Sequence, residues 1–434
     1  MDDIRTVKLG LLGCGTVGGA LARLLDDRRD MIVARTGVRL EITRIAVRDL
    51  DKPRDVAVAD HVFTVDTMGV VEDPDVDVVV ELIGGVDVAR ELVAAALALG
   101  KPVITGNKAL LAAHGAELYA AADAAGVDLL FEAAVAGGIP LMRPLRESLI
   151  AEPITRVMGI INGTTNYILT KMTEDGASYE EALAEAQALG YAEEDPTADV
   201  EGYDAGAKAA IIATIVYGAI VPHDQVHHEG ISGITADDIE VAGRLGYTIK
   251  AIAIIENDPA DDGAPRIAVR VHPALVPLAH PLASVRDSFN AIFIEGDAVG
   301  ELMLYGRGAG GEPTASAVLG DVIDAAVNLT RGTSARIGAL TPATVRTIAE
   351  SSSAYYLRIA VIDRPGVLAR VADVFGRHEV SISSMEQHGL GDEAVLMFIT
   401  HVSREADVRA TLAALRELDI VTDITSVIRV VGDI

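Results

Sequence analysis

The stretch VKLGLLGCGTVGGALARLLDD, residues 7–27, limits the architecture more than any other. VKLGLLG reads as a buried strand, GCGTVGGA as a tight turn, and LARLLDD as a helix with apolar residues at helical spacing. In this strand–turn–helix pattern Gly13 permits the turn, Gly15 lets the backbone approach a pyrophosphate, and Gly18 lets helix and strand pack closely. Thr16 and Val17 lie between, where N–H groups at the helix start face an anion. A lone G-x-G-x-x-G is weak. Here LEITRIAV, VDVVVELIGG, PVITGN and VDLLFEA follow as further strands, with ARELVAAALALG and ALLAAHGAELYAAADAAG as helices. Such alternation predicts a doubly wound parallel sheet, class α/β.

Arg48 and Asp49 close the second strand, where an acid suits the ribose of NAD and an arginine accommodates the extra phosphate of NADP. Arg48 comes first, which favours NADP and leaves NAD possible. Thr105 and Lys108 end the strand PVITGN, at the carboxyl edge where open α/β sheets bind ligands. An ordinary lysine at a helix start leaves the same sequence, although a cation there is disfavoured without an anion nearby.

AQALGYAEEDPTADVEGYDAGAK, residues 186–208, sets a run of carboxylates ahead of one lysine. The preceding helix opens with a capping box at Ser178 and Glu181 and stops at Gly190, so the acids line a loop. From Asp199 onward the chain reads as helix, and Asp204 and Lys208, four apart, share a face. An isolated Asp-x-x-x-Lys is ordinarily a solvated ion pair. The apolar AAIIATIVYGAIV that follows carries this one into a buried helix, where charge needs a reason.

Taken together, GCGTVGG, GNKALL, EAAVAGGIP, INGTTNYIL, GYAEEDPTADVEGYDAGAK and YGRGAGGEPTASAVLGD resemble, in order, the signature segments of homoserine dehydrogenases. The resemblance implies a Rossmann-type nucleotide domain over 1–140, completed by 306–330, with Gly308 and Gly310 near the cofactor. It implies an α+β substrate and dimerisation domain over 141–305. In that domain TIKAIAIIEN, APRIAVRVHPALV and NAIFIEGDAVGELMLY read as three strands of a mixed sheet. The implied chemistry is interconversion of aspartate 4-semialdehyde and L-homoserine with NAD(P). Lys208 would act as general acid, Lys108 would orient or polarise the substrate, Glu193 and Asp204 would hold its ammonium, and Gly190 and Asp199 would support the pocket. The family's loop for a structural monovalent cation such as Na+ matches Glu132 with the carbonyls of Val135, Gly137 and Ile139. A glycine-rich hinge leaves the same residues.

Residues 331–353 read as a linker. After them the order β-α-β-β-α-β over 354–434 is ferredoxin-like. Together with DRPGVLA it resembles ACT domains, which bind amino-acid effectors at interfaces between copies. This implies an effector site at Asp363, Gly366, Val367 and Leu368, threonine as the effector, and a homodimer or homotetramer.

Composition sets outer limits. Acidic residues outnumber basic ones, 64 to 36, for a formal charge of -28, which disfavours nucleic acid and anionic membranes. MDDIRTVKLG lacks a signal peptide's basic start and apolar centre, so a cytoplasmic location is expected. Cys14, the single cysteine, sits in the pyrophosphate turn, which argues against a semialdehyde dehydrogenase working through a thiol adduct. Another amino-acid dehydrogenase, or a non-catalytic sensor of nucleotide and amino acid, is the alternative. The joint presence of Lys108, Glu193, Asp204 and Lys208 weighs against the sensor.

Overall fold

The structure is a computed structural model that describes residues 4–259, 263–335, 337–338, 340–389 and 391–432. The chain begins with β1 (Arg5–Leu12), α1 (Thr16–Asp27), α2 (Arg29–Thr36), β2 (Val38–Ala46), β3 (Phe63–Thr64), α3 (Thr67–Glu72), β4 (Val78–Glu81), α4 (Asp87–Ala98), β5 (Val103–Thr105), α5 (Lys108–Ala125) and β6 (Leu129–Leu130). Its strands form a parallel sheet of order β3-β2-β1-β4-β5-β6. Apolar side chains such as Leu9, Leu11, Val78 and Val80 are fully buried, as strands covered on both faces require.

The second region contains β7 (Ile154–Ile160), α6 (Gly163–Glu174), α7 (Tyr179–Ala188), α8 (Thr197–Val200), α9 (Tyr203–Tyr217), β8 (Ala219–Ile220), β9 (His227–His228), α10 (Ala236–Arg244), β10 (Tyr247–Asn257), β11 (Arg266–Pro277), β12 (Phe289–Gly296) and β13 (Gly300–Arg307). Then α11 (Gly311–Arg331) returns to the first sheet, where Val318, Val322 and Ala325 join the core of Leu9 and Leu11. Two sequence expectations change. The run from Asn290 to Tyr305 is a hairpin of two strands, because the turn after Gly296 is tied down by Ala298 N–H donating to Glu152 at 2.7 Å. The segment after Asp199 is not one helix: Gly202, at φ 84°, separates α8 from α9.

Residues 331–353 are stitched to the fold through β14 (Thr341–Pro342), which pairs with β8, and β15 (Thr344–Val345), which pairs with β11. Beyond them lie β16 (Ser352–Ile362), α12 (Val367–Arg377), β17 (Ile382–Gly389), β18 (Glu393–Thr400), β19 (Ser403–Arg404), α13 (Glu405–Arg416) and β20 (Val421–Val430). Leu357, Ile359, Val371, Phe375, Phe398 and Leu415 form their core. This module is not a bead on a string. β20 pairs in parallel with β11, matching Arg429 to Ala274 and Val430 to Leu275, so one sheet runs β13-β12-β7-β10-β11-β20-β16-β18-β17.

Candidate active site

Asp204, in the first turn of α9, is buried between two lysines. Its Oδ1 lies 2.7 Å from Lys108 Nζ and its Oδ2 2.7 Å from Lys208 Nζ. The i,i+4 spacing delivers Lys208; Lys108 arrives from the carboxyl edge of the first sheet, as the first residue of α5. The pair therefore closes the cleft between the two regions. Lys208 also donates to Ile161 O at 2.9 Å, which leaves one of its three N–H groups uncommitted among the described residues. Burial alone would raise the Asp204 carboxyl, but Lys208 and then Lys108 hold it well below the usual carboxylate range. For Lys108 burial opposes the charge, yet Asp204, with Asp199 and Glu193 behind it, carries the net shift upward. Lys108 thus stays cationic at neutral pH, and the contest between neighbouring lysine and acid is decided by the acid.

Asn162 holds this cluster together. Its Oδ1 caps α6 by accepting from Thr165 N–H at 2.9 Å, which fixes the amide's orientation, and its Nδ2 donates to Asp199 at 2.7 Å and Asp204 at 2.9 Å. The sequence marks Asn162 as a cap; its second duty depends on a partner some forty residues away and has no local signal. Thr164 Oγ1 lies 2.7 Å from Tyr191 O and 3.2 Å from Asp199, tying the acidic loop to α6. Glu193 is exposed, and Gly190, at φ 76°, ends α7. Both sit at the rim of the cleft rather than in the ion-pair cluster.

The glycine turn has the shape expected for a pyrophosphate. A Cβ at Gly18 would stand 2.3 Å from Gly13 O, and one at Gly13 would meet Leu82 O at 2.8 Å with φ at 104°. At Gly15 a Cβ would meet nothing within 4 Å, so the exposed start of α1, with Thr16 and Val17, opens onto free space. The residues fit a dinucleotide. Gly308 and Gly310 lie nearby: Gly310 leads into α11, and a Cβ on Gly311 would touch Thr16 Cγ2 at 2.9 Å. Gly308 itself presses on Asn290 and on Gly137, where no side chain has room. Arg48 and Asp49 are exposed beyond β2. A second guanidinium reaches the same tip: Arg54 donates to Asp49 O at 2.7 Å and stacks over Phe63. Nothing in the spacing marks Arg54.

Thr105 ends β5 at the carboxyl edge of the first sheet, as its place in PVITGN implies. Its hydroxyl donates to Glu81 at 2.6 Å and accepts from Asn107 N–H at 3.0 Å, so it braces the carboxyl edge of the sheet. Glu81, fully buried, also accepts from the N–H groups of Ile83 and Gly84 and so shapes the loop after β4. The Glu132 carboxylate is likewise spoken for, accepting backbone N–H groups of Leu141, Met142 and Arg143. Backbone oxygens are also free for a cation in this loop: among the described residues the carbonyls of Val135, Gly137 and Ile139 accept no hydrogen bond from another segment. In the C-terminal module Gly366 is exposed at φ 91° ahead of α12, Asp363 is exposed, Leu368 is half-buried, and Val367 points into the module's own core.

Comparison with known proteins points to one family. The family model "Homoserine dehydrogenase, NAD binding domain" matches residues 13–132, "Homoserine dehydrogenase" matches 140–323, and "ACT domain" matches 355–419. The homoserine dehydrogenase of Corynebacterium glutamicum is 51% identical over 429 residues, covering 98% of this chain and 96% of the relative. That of Mycobacterium tuberculosis H37Rv is 46% identical over 437 residues, with 99% of each covered. The crystal structure of a homoserine dehydrogenase from Thiobacillus denitrificans superposes with a TM-score of 0.91 at 41% identity, covering 99% of each chain. A hyperthermophilic archaeal homoserine dehydrogenase in complex with NADPH gives a TM-score of 0.61 at 28% identity, covering 76% of this chain and all of that one. With its nucleotide cradle, its acid flanked by two lysines and its C-terminal ACT domain, the chain belongs to the homoserine dehydrogenases, NAD(P)-dependent oxidoreductases.

Proposed function

We propose that the chain reduces L-aspartate 4-semialdehyde to L-homoserine with Lys208 as proton donor and Lys108 as the group that orients and polarises the aldehyde. A bound nicotinamide cofactor would supply hydride to the carbonyl carbon. As charge develops on the carbonyl oxygen, the ammonium of Lys208 stabilises it and gives up its proton. Asp204 keeps both lysines in place, and its position between them, 2.7 Å from each, is the observation that carries the reading. Glu193, exposed and within reach of the Lys108 charge, pairs with the substrate ammonium together with Asp204; Asp199 and Gly190 support the loop.

NADPH is the preferred cofactor. Arg48 and Arg54 at the tip of β2 favour a 2′-phosphate, and the archaeal relative described with NADPH is in keeping with that preference. The Gly13, Gly15 and Gly18 turn holds the pyrophosphate, and Gly308 and Gly310 close over it. A monovalent cation such as Na+ on Glu132 and the carbonyls of Val135, Gly137 and Ile139 would stiffen the crossing between regions. Threonine binds the ACT domain at Asp363, Gly366, Val367 and Leu368, and the protein acts as a homodimer or homotetramer in the cytoplasm. No helix among the described residues is long and apolar enough to cross a membrane. Steady-state kinetics with NADPH and NADH, each with and without threonine, test the reading: a higher kcat/KM with NADPH and inhibition by threonine are expected. Preference for NADH, or indifference to threonine, would overturn the respective part.

A further inference from the structure

The C-terminal module lends a cation to the substrate domain. Arg429 on β20 is only 6% exposed, and its guanidinium grips two carboxylates. It donates to Glu229 at 2.7 and 2.9 Å and to Glu405 at 2.9 and 3.1 Å. Glu405 opens α13 of the same module, whereas Glu229 follows β9 in the substrate domain. The planar fork of arginine suits this double bridge, and a lysine could serve only one side of it well.

Glu229 begins a segment that leans on the acidic turn of the site. Its own N–H donates to Val271 O at 2.8 Å. Ile231 N–H donates to Val200 O at 2.9 Å, and Ser232 Oγ donates to Glu201 at 2.8 Å. A Cβ at Gly230 would lie 2.2 Å from Glu201 Oε2 and 2.8 Å from Val200 O, and one at Gly202 would lie 3.5 Å from Glu229 O. There is no slack between residues 229–232 and the turn Val200–Gly202. That turn is the link joining α8, which carries Asp199, to α9, which carries Asp204. Glu229 also faces Asn162 and Asp199 across a small cavity.

We propose that Arg429 is a positioning residue for the substrate site: by clamping Glu229 it fixes residues 229–232 against the Val200–Gly202 turn and so sets Asp199 and Asp204 relative to the two lysines. The inference rests on the reading of Asp199 and Asp204 as substrate-site groups. It gives the ACT domain a physical route to the site, since a shift of β20 moves the clamp.

The test uses the full-length enzyme with Glu229→Gln, Glu229→Asp, Arg429→Lys and the double variant Glu229→Gln/Arg429→Lys, with Asp204→Asn as reference. Glu229→Gln and Arg429→Lys should each raise KM for the semialdehyde about tenfold while KM for NADPH stays within about twofold, as loss of a group that orders the amino-acid pocket should. The double variant should be no worse than Glu229→Gln alone, because that change already removes the carboxylate on which both Arg429 and its neighbour His227, 2.7 Å away, close, and Glu229→Asp should recover most of the loss. If Arg429→Lys fails to fold, the two Glu229 variants still decide. Wild-type KM in Glu229→Gln with Asp204→Asn impaired, or multiplicative losses in the double variant, would overturn the clamp alone. An unimpaired Asp204→Asn would instead overturn the substrate-site reading beneath it.

Discussion

Replacing Asp204 by asparagine removes one charge without removing volume, and the structure sets the size of the effect. The ion pairs with Lys208 and Lys108 are lost, and such contacts contribute about 1.5–3 kcal/mol each when desolvated. The Lys208 side applies nearly in full, since that side chain is 12% exposed; the Lys108 side, at 46%, is screened and contributes about 0.5–1 kcal/mol. The sum of about 2–4 kcal/mol corresponds to a loss of roughly 30- to 1000-fold in kcat/KM if the contacts act in the transition state. A second readout is independent of the first. Because Asp204 is the main partner that keeps Lys108 raised, its loss should move the alkaline limb of the kcat/KM profile to lower pH. NADPH absorbance with aspartate semialdehyde, followed from acid to alkaline pH, measures both. A variant within roughly threefold of wild type with an unmoved alkaline limb would refute the coupling of acid and lysines.

Lys208→Ala should lower kcat by on the order of 100-fold or more, as loss of a general acid does, with NADPH affinity kept; an undiminished kcat in stopped-assay kinetics would remove Lys208 from the mechanism. Gly18→Ala places a methyl group against Gly13 O, so NADPH affinity measured by cofactor fluorescence should fall at least about tenfold. Asp321 on α11 is buried, and burial pushes its carboxyl up to about 8, above its value in the unfolded chain. Folding therefore holds a proton that the unfolded chain releases, and stability from this group declines as pH rises from about 4 to about 8. Asp321→Asn, whose carbonyl can still accept the Glu132 N–H, should melt higher than wild type at pH near 8.5 and equal to it near pH 4 by calorimetry.

The legible parts of this chain are those written locally. Ser178 and Glu181 form the capping box their spacing announces, Gly190 stops the helix, and apolar runs broken by turn residues mark the strands of the C-terminal module. Asp204 and Lys208 meet because helical geometry makes them neighbours. Long-range duties left no such trace. The amide of Asn162 serves Asp199 and Asp204 from another helix, Thr105 turns to Glu81, and Glu132 spends its carboxylate on backbone N–H groups ten residues away. The break at Gly202 could not be told from a helical glycine, because nothing local marks its positive φ and the residues beside it, His228, Glu229 and Val271, are distant in sequence. The union of β20 with β11 rests on two residue pairs between strands far apart in sequence, and neither strand's pattern distinguishes a free edge from a joined one.

That union makes the C-terminal module a poor candidate for removal by truncation. Cutting it away would strip Ala354, Tyr356, Ile428 and Val430 from the greasy layer they share with Ile249 and Leu275, and would leave β11 with open backbone groups beside bare aliphatic surface. A shortened enzyme would be sticky, so the proposed effector role of this module is better probed through point changes in the loop before α12 than through a stop codon.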